Sequence, residues 1–248
     1  MTHLSVNVNK VATLRNTRTL GIPSVERLSQ IALEAGAHGI TVHPRPDQRH
    51  IRPADVDDVA RVVARFPRAE YNIEGNPFHG LIEHCERVRP TQATLVPDAR
   101  EAFTSNHGWN LIELGVAERK ALASAIATLR AAGSRVSLFL DPVVEMMPIA
   151  KELGADRVEL YTEPYAAAAL EGRVEPALQT YAAAAAAARS AGLGVNAGHD
   201  LNLDNLAPFL ARTGPIDEVS IGHALIADAL ELGLAETVRR YLAACRQA

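Results

Sequence analysis

The sequence predicts a (β/α)8 barrel, an α/β fold, from three observations. Short β-branched runs alternate with segments of helical periodicity eight times along the chain. No linker or change of composition separates these units, so residues 1–248 are expected to form one domain. A length of 248 residues with 48% hydrophobic content can fill a large core. Eight such units in one domain of this length favour a closed barrel over an open sheet.

The first strand is predicted at residues 4–9, where apolar and polar residues alternate and Asn7 and Asn9 share one face. Residues 10–18 are rich in cationic and hydrogen-bonding side chains and predict a loop or a short helix. Residues 24–36 then show helical periodicity between a serine suited to cap a helix and a glycine suited to end it. The chain therefore opens with a strand and reaches its first long helix after a cationic connection.

The later strands share β-branched composition and flanking turn residues, and they are predicted at residues 39–43, 70–74, 93–96, 135–140, 157–161, 194–197 and 218–221. Helices fill the gaps between them, and one, near residues 53–65, begins with a proline close to its first turn. The alanine tract at 182–188 lies where a helix is due, because alanine is the best helix former. Residues 235–248 predict one extra amphipathic helix.

Composition excludes several classes of function. A net charge of −4 and a pI near 6.1 argue against nucleic-acid binding, which normally needs a basic excess. Cys85 and Cys245 lack the spacing of a zinc site or a disulfide framework, which favours a reducing compartment. The first residues do not resemble a signal peptide and no apolar run is long enough to span a bilayer, so a cytoplasmic protein without a membrane partner is expected.

Chemically reactive side chains follow most of the predicted strands. In chain order they are Asn7, Asn9, Lys10, His43, Arg45, Glu74, Glu159, His199, Gly222 and His223. The carboxyl ends of barrel strands form the active-site face, so these groups should meet at one end of the barrel. A carboxylate beside an imidazole can transfer protons near neutral pH, and Glu74 and His43 lie on neighbouring strands. This convergence favours acid/base chemistry over a structural role for each group.

Two strand-Gly-His turns, at residues 196–200 and 220–223, are each expected to precede a helix. Glycine lets the backbone approach a ligand and a helix N-terminus offers free N–H groups, so these turns predict a phosphate site. A metal site made by His43, His199 and Glu159 is conceivable, but no two of these ligands share a tight spacing. Metal-free acid/base chemistry is therefore favoured.

Seven ordered motifs carry a resemblance to a known family. They are residues 8–18, residues 39–43 with Arg49 and His50, and residues 72–74, 95–97, 136–139, 195–199 and 221–223. With these motifs the chain resembles the pyridoxine 5′-phosphate synthases, the ring-closing enzymes of the deoxyxylulose-phosphate-dependent route to vitamin B6. The resemblance covers nearly the whole chain. It implies a transferase with a (β/α)8 barrel and extra helices, a homo-octamer, and no metal or organic cofactor.

The resemblance also implies a role for individual residues. The general bases fall on His43 and Glu74, the general acid on His199, and the carboxylate that stabilises the transition state on Glu159. Contacts to deoxyxylulose phosphate fall on Asn9, Lys10, Arg45, His50 and Thr104. Contacts to the phosphate of the amino ketone fall on Asn7, Arg18, Asp200, Gly222 and His223.

Three places depart from the family pattern. The family commonly has Asp-His where this chain has Asn9-Lys10, so substrate binding there should depend more on a fixed positive charge. Asp200 replaces a usual glycine and brings a carboxylate close to an expected phosphate, which is unfavourable unless Lys10 or an arginine offsets it. Residues 161–165 differ from the family's His-Thr-Gly form.

The leading hypothesis is condensation of 3-amino-2-oxopropyl phosphate with 1-deoxy-D-xylulose 5-phosphate. A phosphosugar aldolase or isomerase is a second candidate, but it would normally need a lysine inside the barrel for a Schiff base, and the predicted strand ends lack one. A catalytically silent paralogue that binds a phosphorylated ligand is the alternative from another class, and the changed Asn9-Lys10 pair motivates it.

Overall fold

The computed structural model describes residues 1–99 and 105–246. Its strands are β1 (His3–Asn7), β2 (Gly39–Val42), β3 (Glu70–Gly75), β4 (Gln92–Leu95), β5 (Arg135–Leu140), β6 (Arg157–Tyr161), β7 (Gly194–Gly198) and β8 (Glu218–Ile221). Each strand pairs in parallel with the next, and β8 pairs with β1, which closes the sheet. This arrangement confirms the predicted (β/α)8 barrel.

The α-helices formed by the described residues are α1 (Asn9–Asn16), α2 (Val25–Glu34), α3 (Pro53–Val63), α4 (Ile82–Val88), α5 (Val116–Ala131), α6 (Met146–Glu152), α7 (Glu163–Leu170), α8 (Val174–Ser190), α9 (Leu206–Thr213), α10 (His223–Leu232) and α11 (Leu234–Arg246). Ser24 caps α2 as predicted, because its hydroxyl accepts the N–H of Arg27 at 3.1 Å. The alanine tract lies within α8, and α11 is the predicted extra helix. None of the helices in residues 1–99 and 105–246 combines the length and hydropathy needed to cross a bilayer.

The hydrophobic core lies between the strands and the surrounding helices. Alternate strand residues such as Leu4 and Val6 on β1 and Ile40 and Val42 on β2 are fully buried there. Their neighbours in sequence point the other way, into the barrel, because successive strand side chains face opposite sides of the sheet. The alternation therefore divides each strand into a helix-facing apolar side and an inward side.

The inward side is polar and internally hydrogen-bonded. The hydroxyls of Ser5 and Thr41 lie 2.7 Å apart, and Asn72 Nδ2 donates to Thr41 Oγ1 at 3.3 Å. Thr94 Oγ1 donates in turn to Asn72 Oδ1 at 3.1 Å. Further contacts of the same kind join Gln92, Asn196 and Glu218. Barrel interiors are more often filled by branched apolar side chains, so hydrogen bonds replace much of that packing here.

The start of the chain differs from the prediction. β1 ends at Asn7, and Asn9 is the first residue of α1, so the expected strand through Asn9 is wrong. Asn7 causes the early end, because its side-chain oxygen accepts the backbone N–H of Asn9 at 3.0 Å and turns the chain. Lys10 consequently lies in the first turn of α1, where its side chain is exposed.

Candidate active site

A cavity of about 460 Å³ opens where the carboxyl ends of the strands meet. All but two of the site residues predicted from the sequence line it, namely Asn7, Asn9, Lys10, His43, Arg45, His50, Glu74, Glu159, His199, Asp200, Gly222 and His223. Pockets for small ligands commonly have this volume. The barrel thus gathers groups that are far apart in sequence into one space large enough for small phosphorylated molecules.

The two remaining predicted residues stand apart. Arg18 follows α1, is exposed, and does not line the cavity. Thr104 falls outside the described residues. Their roles in substrate binding stay predictions.

His43 and Glu74 face each other inside the cavity, with 3.8 Å between Nδ1 and Oε2. Both side chains are buried. Asn9 Oδ1 accepts the backbone N–H of His43 at 2.9 Å, which fixes the end of β2. Asn7 Nδ2 donates to Glu74 Oε2 at 3.3 Å, and Ser220 Oγ donates to Oε1 at 3.4 Å. The two predicted bases are therefore held beside each other by polar groups from β1, α1 and β8.

Burial shifts the protonation of this pair in opposite directions. Burial, helped by the charges of Asp98 and Glu218, raises the pKa of Glu74 to about 8. Burial and the nearby positive charge of Arg45 lower the pKa of His43 well below its usual value. At pH 7 a protonated carboxyl group therefore faces a neutral imidazole for most of the time. Such a pair can exchange a proton with a substrate without separating buried charges.

Glu159 is the second carboxyl group of the cavity. Burial, followed by the charge of Glu74, raises the pKa of Glu159 well above its usual value. Its Oε2 atom has no hydrogen-bond partner within the described part of the chain. A protonated carboxylic acid held in this way can donate a hydrogen bond to an oxygen that gains negative charge during a reaction.

His199 and Asp200 follow β7 in an unusual backbone conformation. Their φ angles are 86° and 60°, in the left-handed region that few non-glycine residues adopt. Thr162 Oγ1 supports the turn by donating to the carbonyl oxygens of Gly198 at 2.7 Å and His199 at 2.5 Å. His199 packs its ring against Tyr161, with 5.2 Å between the ring centroids. The turn therefore directs a histidine and a carboxylate into the cavity at a defined position.

Asp200 has a direct partner in His199. Nδ1 of His199 lies 3.0 Å from Oδ2 of Asp200. This hydrogen bond lowers the pKa of Asp200 below its usual value, and the charges of His223 and Lys10 act in the same direction. Asp200 is therefore ionised at neutral pH, and the surrounding positive groups together offset its negative charge.

The Gly-His turn at residues 222–223, which was predicted to bind phosphate, lies at the start of α10. Gly222 precedes the helix and His223 is its first residue. A Cβ atom on Gly222 would lie 3.2 Å from Cβ, Cγ and Oδ1 of Asn7, so glycine allows the helix to approach β1 closely. The helix N-terminus then presents unpaired N–H groups beside the cavity. The other Gly-His turn differs from the prediction, since α9 begins only at Leu206.

Several cavity residues were not predicted as site residues. These are Thr13, Val96, Ser105, Phe139 and Ser220, whereas Arg49, which also lines the cavity, belongs to the motif formed by residues 39–43 with Arg49 and His50. Asp98 lies directly behind this lining, where it forms a buried ion pair with Arg45. The sequence gives little signal for Asp98, because it lies three residues after β4 and directly follows a proline.

Side chains that could bind a metal ion are a separate feature from the acid/base groups. Across residues 1–99 and 105–246, no group of three or more His, Cys, Asp or Glu side chains is arranged to hold a metal ion. The acid/base interpretation rests on the burial and contacts of Glu74, His43 and Glu159.

Comparison with known proteins links the whole chain to one family. The family model of the pyridoxal phosphate biosynthesis protein PdxJ matches residues 4–247. A pyridoxine 5′-phosphate synthase from Albidiferax ferrireducens is 56% identical over 246 residues, which cover 97% of this chain and 96% of that protein. A pyridoxine 5′-phosphate synthase from Porphyromonas gingivalis is 51% identical over 241 residues, which cover 97% of this chain and 98% of that protein.

Solved structures with a similar fold include more distant proteins. Tryptophan synthase from M. tuberculosis has a TM-score of 0.67 at 10% identity and covers 100% of this chain and 94% of that chain. Thiamine phosphate pyrophosphorylase from Pyrococcus furiosus has a TM-score of 0.63 at 13% identity, with 99% and 96% covered. At such low identity the similarity shows the fold alone.

Proposed function

This chain belongs to the PdxJ family of pyridoxal phosphate biosynthesis proteins, and we propose that it condenses 3-amino-2-oxopropyl phosphate with 1-deoxy-D-xylulose 5-phosphate. The products are pyridoxine 5′-phosphate, inorganic phosphate and water. The activity makes the protein a transferase of vitamin B6 biosynthesis.

The observation that carries this proposal is the neutral pair of Glu74 and His43, 3.8 Å apart in the cavity. Ring formation from an amino ketone and a second ketone requires several proton transfers near neutral pH. General acid/base groups work best when their pKa lies close to the working pH, and burial raises the pKa of Glu74 to about 8. Neutral His43 accepts a proton while Glu74 returns one, so the pair can serve successive steps.

In the proposed sequence, the amine of the amino ketone attacks the ketone of deoxyxylulose phosphate. Glu74 and His43 move the protons that addition and dehydration require. The product keeps one of the two phosphate esters, so one carbon–oxygen bond breaks and releases inorganic phosphate. Ring closure follows, and His199 protonates the departing hydroxyl group as water is lost. Glu159, held protonated by burial, donates a hydrogen bond to the oxygen that carries transient negative charge.

The two phosphate esters lie on either side of β1 in this proposal. Lys10, Arg45 and His50 supply positive or donor groups for deoxyxylulose phosphate on the side of β2. The N-terminus of α10, with Gly222 and His223, binds the amino-ketone phosphate on the side of β8. Asn7 and Asn9 orient the reacting groups between them. This division keeps both reacting ends next to Glu74.

Assembly and location complete the proposal. We expect a homo-octamer in the cytoplasm, and exposed Leu14, Leu20 and Ile22 near Arg18 offer apolar surface for a subunit contact. Arg18, which does not line the cavity of its own chain, keeps its proposed role in phosphate binding.

The alternative is a silent paralogue that binds a phosphorylated ligand without turnover, motivated by Asn9 and Lys10. Asn9 accepts a hydrogen bond from the backbone of His43, and Asn7 donates one to Glu74. The groups proposed to transfer protons are therefore held in place even though the chain has Asn9-Lys10 instead of Asp-His. A Schiff-base aldolase is disfavoured, because Lys10 is the one lysine among the described lining residues and its side chain is exposed.

Turnover with purified protein separates these functions. With both substrates present, the ultraviolet absorbance of pyridoxine 5′-phosphate should appear together with an equal amount of released phosphate, without added metal. Either substrate alone should remain unchanged, whereas an aldolase or isomerase would convert deoxyxylulose phosphate by itself. Saturable binding of either substrate without product would identify the silent paralogue.

A further inference from the structure

A buried carboxylate behind the cavity connects two predicted site residues. Asp98 and Arg45 form an ion pair in which the side chains are only 5% exposed. The same oxygen of Asp98, Oδ2, accepts a hydrogen bond from Ser105 Oγ at 2.7 Å. Nε2 of His43 lies 4.0 Å from this oxygen. Oδ2 of Asp98 therefore pairs with Arg45, and a small movement would bring it within hydrogen-bond distance of His43.

The ion pair limits what Arg45 can offer to a substrate. A buried carboxylate that pairs with a guanidinium group cancels most of its charge. A phosphate ester presents the same bidentate geometry as a carboxylate with more negative charge, so it competes for the same guanidinium donors. Arg45 lines the cavity and Asp98 does not, so a phosphate in the cavity can contact Arg45 while Asp98 still pairs with it.

We propose that Asp98 is a positioning residue that transfers its hydrogen bond from Arg45 to His43 when a substrate phosphate binds Arg45. This inference rests on the proposed function in one respect, the binding of a phosphate ester by Arg45. Ser105 keeps Asp98 anchored during the exchange, because its hydroxyl bonds the same oxygen. The change needed at His43 is about 1 Å, from 4.0 Å to an ordinary hydrogen-bond distance.

The exchange would prepare His43 as a base only when substrate is present. With the Nε2 proton held by Asp98, the lone pair of His43 lies on Nδ1, the atom that is 3.8 Å from Glu74. A carboxylate that orients an imidazole and stabilises its protonated form acts in this way in the catalytic triads of hydrolases. The bound phosphate would also neutralise Arg45, whose charge now disfavours a proton on His43.

Crystal structures of the wild-type protein with and without inorganic phosphate test the exchange directly. With phosphate bound to Arg45, Oδ2 of Asp98 should lie within about 3.2 Å of His43 Nε2 and should have left Arg45. A phosphate on Arg45 with the Asp98–Arg45 pair intact would overturn the proposal. So would crystals in which phosphate binds elsewhere and leaves Arg45 unoccupied.

The Asp98→Asn variant tests the same idea in solution. Because the amide cannot compete as an anion, inorganic phosphate should bind several-fold more tightly, measured by calorimetry, while kcat should fall by at least about tenfold. A purely structural role predicts weaker phosphate binding and a lower Tm instead, and that result would contradict the exchange. Glu70→Gln is the matched control, because it removes a carboxylate that pairs with Arg135 at the N-terminal end of β3, away from the cavity. In this variant kcat and phosphate affinity should stay unchanged.

Ser105→Ala covers the case in which Asp98→Asn does not fold. The substitution leaves the ion pair and loosens Asp98, so it should reduce kcat several-fold with little change in KM. Unchanged kcat in this variant would count against the anchoring role and against the proposal. Wild-type protein that lacks synthase turnover but still shows the phosphate-dependent movement would refute the proposed function and leave the exchange intact.

Discussion

At the scale of single residues, the protonation of the cavity follows from burial. Glu74 and Glu159 are both buried and the charge of Glu74 acts on Glu159, so ionising either one is unfavourable. Their neutral forms supply protons at neutral pH, while His50, whose pKa burial lowers to about 4, supplies a neutral donor or acceptor. The same side chains on the surface would have none of these properties.

Replacing Glu74 by Gln should remove most turnover. The amide keeps the shape of the side chain but can neither release nor take up a proton, so kcat should fall by about a hundredfold to ten-thousandfold, with substrate binding preserved. Steady-state kinetics with both substrates measures this effect. Glu70→Gln, the same substitution at the start of β3, is the control and should keep wild-type kinetics. Turnover within a few-fold of wild type in Glu74→Gln would show that another group transfers the proton.

The same variant should reveal a stability cost of the active site. Folding raises the pKa of Glu74 to about 8 from an unfolded value of 4.5. The protonated form is therefore favoured in the folded state, and stability is lost as pH rises through this interval. Glu74→Gln should match wild type near pH 4 and exceed its free energy of unfolding at pH 9. Urea titrations at the two pH values measure the difference, and equal stability at pH 9 would contradict the raised pKa.

Lys10 should act on substrate affinity more than on chemistry. Lys10→Met keeps the aliphatic stem and removes the charge, so KM for one phosphorylated substrate should rise while kcat changes less. Adding Asp200→Gly distinguishes two roles: recovery of affinity in the double variant means that Lys10 mainly offsets Asp200. Initial-rate measurements on both single variants and the double variant provide the comparison. Unchanged KM for both substrates in Lys10→Met would leave Lys10 as a surface charge.

At the scale of secondary-structure elements, β6 and β7 approach each other closely at Gly198. A Cβ atom there would lie 2.6 Å from Glu159 Oε1 and 3.0 Å from the carbonyl oxygen of Ser220. Gly198→Ala should therefore displace Glu159, lower kcat, and destabilise the fold by about 1–3 kcal/mol. Calorimetric Tm and kinetics report the two effects. Gly75→Ala is the control, because its Cβ would meet Leu81 at an ordinary 3.4 Å. If Gly198→Ala has the same Tm and kcat as wild type, as Gly75→Ala should, then β7 moves to make room for the added methyl group.

The strand bounds predicted from the sequence agree with the structure for some strands and not for others, and each outcome has a physical cause. Strands such as β5 and β6 were predicted at their observed bounds, because their apolar residues recur at every second position, which is the period of a strand. β1 was predicted too long, because the alternation through Asn9 does not reveal that Asn7 turns the chain with its own side chain. Such side chain to backbone hydrogen bonds compete with the strand without changing its hydrophobic pattern.

Site residues show the same division. His43 and Glu74 could be predicted from their position at strand ends, since the barrel brings such positions together. Asp98 was missed because a single aspartate after a proline resembles an ordinary loop residue, and its partner Arg45 is distant in sequence. The pairing of His199 with Asp200 was also hidden, because it depends on two left-handed backbone conformations.

At the scale of the whole molecule, catalysis is expected to depend on protonic groups held by the barrel. Dialysis against EDTA should therefore leave turnover unchanged, since Glu74, His43, Glu159 and His199 need no metal for their proposed roles. Activity before and after dialysis, with and without added divalent ions, is the measurement. Loss of activity that a divalent ion restores would instead support the metal site made by His43, His199 and Glu159.

The hydrogen-bonded interior of the barrel constrains how this sequence can evolve. Thr41 contacts both Ser5 and Asn72, so replacing it by valine leaves two buried polar groups unsatisfied, at about 1–3 kcal/mol each. The same valine after Ser5→Ala should cost less, because one of those groups is already gone. Neighbouring positions on different strands are therefore epistatic, and apolar residues can enter the interior only along certain orders of substitution.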